Sequence, residues 1–136
     1  MRIPRALVAA GLLALAACGD SDNGGSGGGS PLVPSGNGPG PSGATITIGT
    51  NGSVSPAQVS INVGQSVTVV NNHTLPHEIS SDPHPAHTTC PSINALGNLP
   101  AGQTRLTNSF SAAGTCGFHD HGDPNNAGLR GTITIR

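Results

Sequence analysis

The chain has 136 residues, with five Lys and Arg against six Asp and Glu, and a formal net charge of −1. Charges this few and this balanced leave no basic patch, which excludes nucleic acid as a partner. Two Phe and no Trp or Tyr mean that any core must come from Val, Ile, Leu and Ala.

The N-terminus opens Met1-Arg2-Ile3-Pro4-Arg5 and continues apolar from Ala6 to Ala17. Two positive charges before about a dozen apolar residues form a secretory signal, and the run is too short to be a spanning helix. Leu15-Ala16-Ala17-Cys18 resembles a bacterial lipobox, in which the cysteine is lipidated and becomes the new N-terminus. The resemblance implies a lipoprotein anchored through Cys18. Aspartate stands at Asp20, the third position of the lipidated form and not the second. Aspartate at the second position resembles the inner-membrane retention signal of Gram-negative lipoproteins. Its absence there implies the outer membrane, and the expected location is the periplasmic face of that membrane.

Nearly every residue from Gly19 to Gly43 is Gly, Ser, Pro, Asn or Asp. Such a segment cannot bury enough apolar surface to offset its ordering entropy, and reads as a tether. The predicted division is a signal over 1–17, a lipidated cysteine and linker over 18–43, and one folded domain over 44–136. In an exported domain with so small a core, Cys90 and Cys116 are candidates for a disulfide.

Within the domain, Ala44-Thr45-Ile46-Thr47-Ile48 alternates polar and apolar, as does Gln58-Val59-Ser60-Ile61-Asn62-Val63 before a Gly64-Gln65 turn. Ser66-Val67-Thr68-Val69-Val70 leads to Asn71-Asn72, read as a turn. His77-Glu78-Ile79-Ser80-Ser81 is a short strand, another ends near Phe110, and Gly131-Thr132-Ile133-Thr134-Ile135 closes the chain. β-branched runs of period two, split by Gly, Pro and Asn, predict an all-β sandwich. Asp82 to Gln103 is rich in proline and reads as an irregular loop between sheets.

Candidate chemistry lies in the histidines. His119 and His121, at i and i+2 on a strand, face the same way, while Asp120 faces the other and takes a supporting role. With His77 they predict a three-histidine metal centre at one end of the sandwich. Neutral imidazoles suit copper, zinc or nickel. Asp123 could approach through the following loop. His84 and His87 either fold back over the centre as further ligands or stand as plain surface residues, and His73 reads as an exposed turn residue.

Pro56 to Asn72 followed by Pro76-His77, then Gly114-Thr115 and the closing Gly131 to Ile135, resemble the cupredoxins, the plastocyanin- and azurin-like copper proteins. The resemblance covers essentially the whole domain. It implies a Greek-key β-sandwich, copper rather than zinc, His77 as the first copper histidine, and a redox or copper-transfer partner. The blue-copper set needs a cysteine thiolate, two histidines and usually a methionine. Here the cysteine position falls at Asp120 and the methionine position at Leu129, so both sulfur ligands are replaced. A second register sets Cys116-Gly117-Phe118-His119 on the family's Cys-x-x-His and makes Cys116 a ligand, which excludes the disulfide.

Gly117-Phe118-His119-Asp120-His121 also resembles a stretch of the copper–zinc superoxide dismutases, but no histidine follows His121. The expected function is therefore exported copper handling or electron transfer. The alternatives are a metal-dependent redox enzyme with dismutase-like chemistry, or a structural sandwich with incidental histidines.

Overall fold

The computed structural model describes residues 38–136. The predicted signal segment, Cys18 and most of the predicted tether lie outside the described residues. Among those described, no helix is long and apolar enough to cross a membrane.

Nine strands and two helical turns follow one another among the described residues: β1 Ser42–Ile48, β2 Val54–Ser55, β3 Gln58–Ile61, β4 Ser66–Asn71, β5 His77–Ser81, α1 Pro91–Asn94, β6 Asn98–Leu99, β7 Thr104–Leu106, β8 Gly114–Asp120, a 3-10 turn Ala127–Leu129 and β9 Gly131–Ile135. They form two sheets, ordered β2-β1-β4-β7 and β3-β9-β8-β5-β6. The architecture is an all-β Greek-key sandwich. Two pairings, β1 with β4 and β3 with β9, are parallel.

Alternation decides which face goes inward. Ile46 and Ile48 of β1 and Ile133 and Ile135 of β9 are buried, while the threonines between them stay partly exposed. Val67, Val69, Ile79, Phe118 and Leu99 complete the seam between the sheets. Gly64 takes the turn before β4 at φ +87°, where a side chain would be strained.

Two predicted elements differ. The strand placed near Phe110 stops at Leu106, because Asn108, Ser109 and Phe110 donate their N–H groups to Ser92, Gly38 and Gln65 instead of a sheet partner. The predicted Asn71-Asn72 turn starts one residue late, since β4 runs through a fully buried Asn71. Beyond β7, buried Thr107 accepts the Val67 N–H at 3.0 Å on Oγ1. Thr107→Val is expected to strand that donor and lower stability by about 1–3 kcal/mol, measurable by urea unfolding.

The segment between β5 and β7 is less irregular than its prolines imply. It turns once as α1, with Pro91 at the helix start where no N–H is needed, and adds β6 to the edge of the larger sheet. A disulfide joins Cys90, just before α1, to Cys116 in β8, with Cα atoms 5.9 Å apart.

Candidate metal centre

β8 separates two histidine groups, one on each of its faces. The register pairs Ile79 with Asp120, Ser80 with His119 and Ser81 with Phe118. Asp120 therefore shares the inward face with Ile79 and Phe118. His119 lies on the outward face, which the segment from Asp82 to Cys90 covers so closely that His119 is 1% exposed.

That covering segment brings two more imidazoles. Asp82 donates its N–H to the Gly117 carbonyl, and Thr89 returns to Asp82, closing a loop with His84 and His87 at its tip. His87 is held in the left-handed region at φ +51°, its N–H bonded to Pro83 and its carbonyl receiving Asn94 Nδ2 at 2.7 Å. A histidine in that conformation persists only where its surroundings enforce it. Ser81 N–H donates to the same Asn94, so α1 ties the loop to β5.

Four rings meet there. One ligand nitrogen from each of His84, His87 and His119 lies within 4.8 Å of the others. His121 Nδ1 is 3.3 Å from His87 Nε2, which is 3.4 Å from His84 Nδ1. Ring centroids of His87 stand 5.1 Å from His119 and 4.8 Å from His121. Bonds of about 2.0–2.1 Å to one metal at tetrahedral angles place two nitrogens about 3.3–3.4 Å apart.

Protonation agrees with that geometry. His119 Nδ1 donates to Asp82 Oδ1 at 2.7 Å, which leaves the lone pair on Nε2. That Nε2 is buried and has no hydrogen-bond partner among the described residues. An orphaned buried nitrogen is costly in a protein without metal and useful to one with it. His87 is held below the ordinary histidine value by burial first, then by the rings of His121, His119 and His84, with Glu78 opposing. That lowering favours the neutral ring, the form that ligates.

Gly117 is part of the same device. A Cβ there would fall 2.1 Å from Asp82 Oδ2, so only glycine lets the carboxylate lie against the strand. Gly117→Ala is expected to push Asp82 off His119 and weaken metal binding roughly tenfold. A competition titration reads this directly.

His77 is elsewhere. It lies on the inward side of the sheet, where Nδ1 hydrogen-bonds Asp120 Oδ2 and Nε2 faces His73 Nδ1 at 2.9 Å. The structure thus does not bring His77 together with His119 and His121, because adjacent residues of β8 point to opposite faces. Asp123 and Leu129 line the cleft on the His77 side. Cys116 is bonded to Cys90, so it offers no thiolate and the Cys-x-x-His register has no sulfur ligand. Asp82 and Asn94 were not legible as positioning residues: an Asp before Pro reads only as a turn residue.

No protein-family model and no curated protein sequence matches the chain. Solved structures do. A purple cupredoxin from Nitrosopumilus maritimus is 23% identical, with a TM-score of 0.54 over 68% of this chain and 99% of that one. Plastocyanin from Dryopteris crassirhizoma is 20% identical, with a TM-score of 0.53 over 68% and 99%. A variant of amicyanin described with Cu(I) is 17% identical, with a TM-score of 0.51 over 69% and 82%. The order of strands, the Pro76-His77 step into β5 and the loop from β8 to β9 make the described domain a cupredoxin in fold.

Proposed function

We propose that the protein is an exported, lipid-anchored copper-binding protein whose ion is held by His84, His87, His119 and His121. The observation that carries this is the buried, unpartnered His119 Nε2 facing imidazole nitrogens already at metal-ligand spacing. An all-imidazole set prefers copper among the common divalent ions. The amicyanin likeness, described with Cu(I), points the same way.

Copper would supply a redox-active centre without a thiolate. His84 and His121 are exposed and His87 partly so, which leaves the ion within reach of a partner. Openness favours copper handling over electron transfer, where a site that changes little between oxidation states is needed. The lipidated Cys18 and the tether to residue 43 would hold the domain at the periplasmic face of the outer membrane, and mass spectrometry of the mature N-terminus tests that part.

For the site, the experiment is Cu(II) loading followed by visible and EPR spectra. A weak, tetragonal, nitrogen-type spectrum is expected. An intense sulfur-to-copper band, or the absence of specific binding, would sink the proposal.

A further inference from the structure

Behind β8, on the face away from the four-histidine cluster, a second pair of imidazoles meets at hydrogen-bond distance. His73 Nδ1 and His77 Nε2 are 2.9 Å apart. Two metal–nitrogen bonds of about 2.0–2.1 Å at near right angles span that distance. The pair opens on a cleft that Asn51, Asp123 and Asn126 also line, which leaves room for water ligands.

The His77 ring is fixed from behind, and the backbone at His73 is tied to Asn71. His77 is 7% exposed, and its far nitrogen, Nδ1, is bonded to Asp120. A carboxylate on the far nitrogen of a ligating histidine sets its tautomer and raises the basicity of the near one. Asp120 is itself oriented by the Gly122 N–H at 2.8 Å. On the other side, buried Asn71 accepts the His73 N–H and donates to the carbonyls of Leu75 and Leu99, setting the loop between the two rings.

Charge supplies the remaining argument. Asp120 is buried, and the one group at ion-pair distance from it among the described residues is His77. A cation on Nε2 places positive charge one ring away from that carboxylate.

We infer that His73 Nδ1 and His77 Nε2 hold a second divalent metal ion, with water completing its coordination and Asp120 positioning His77. The ligand atom of His77 is the nitrogen turned away from Asp120, so this ion does not occupy the space between the two. Coordination by His73 Nδ1 places that ring's remaining proton on Nε2.

The test is a titration of the untagged protein with Cu(II), counting equivalents by equilibrium dialysis and elemental analysis. Wild type is expected to take two equivalents, His73→Ala one, and the His84→Ala/His87→Ala pair one. Asp120→Asn should weaken the second equivalent roughly tenfold. His73 is only partly buried, so its removal leaves the fold intact should Asp120→Asn disturb it. One equivalent in wild type that persists in His73→Ala, or two equivalents in that variant, overturns the inference. A single equivalent that survives the His84/His87 change and vanishes in His73→Ala would uphold it and sink the four-histidine proposal instead.

Discussion

His119→Ala is expected to lower the Cu(II) affinity of the four-histidine cluster by at least ~100-fold, the upper end of the cost of losing a mere supporting partner. At 1.4 kcal/mol per decade that is about 2.8 kcal/mol or more. Two opposing effects act on the metal-free protein. The lost ring leaves a cavity that costs about 2 kcal/mol or more. Its removal also relieves a buried nitrogen with no partner, a penalty of about 1–3 kcal/mol. Metal-free stability should therefore move little, while the extra stability that wild type gains from copper shrinks sharply. Urea unfolding with and without Cu(II) separates the two. An unchanged stabilisation by copper in the variant would remove His119 from the ligand set.

How much of this was legible differs from strand to strand. Thr45 to Ile48 and Thr132 to Ile135 alternate so cleanly that their buried isoleucines follow from period two alone. The parallel pairing of β1 with β4 did not, because registers between distant strands leave no local trace. The same limit governed the site. Parity puts His119 and His121 on one face, and both do meet His87. Which face of β8 the Asp82–Cys90 segment covers depends on the Asp82-to-Gly117 bond and on the disulfide, neither of which a proline-rich stretch announces. The strand pattern and the resemblance both group His77 with His119 and His121, and the structure sets it on the inward face with Asp120. His73, read as an exposed turn residue, is half-buried because Asn71 folds its loop back onto β5.

The paired change Cys90→Ser/Cys116→Ser is expected to cost about 3–4 kcal/mol of stability, from the loop closed across a separation of 26 residues. Its effect on copper should be selective. Cys90 ends the segment that bears His84 and His87 and caps the start of α1, whose Asn94 holds the His87 carbonyl. With the bridge gone, that segment loses its covalent anchor to β8, and ordering two rings again opposes binding; roughly tenfold weaker affinity at the four-histidine cluster follows, the size of effect seen when the groups that position a ligand are lost. The His73–His77 pair stands on the other face, anchored through Asn71 and Asp120, and should keep its affinity. Cu(II) titration of the variant below its unfolding range tests this. A cluster affinity unchanged while stability falls would mean that Asp82 and Asn94 alone hold the loop. Equal weakening of both copper equivalents would mean that the bridge supports the sandwich as a whole and not the loop.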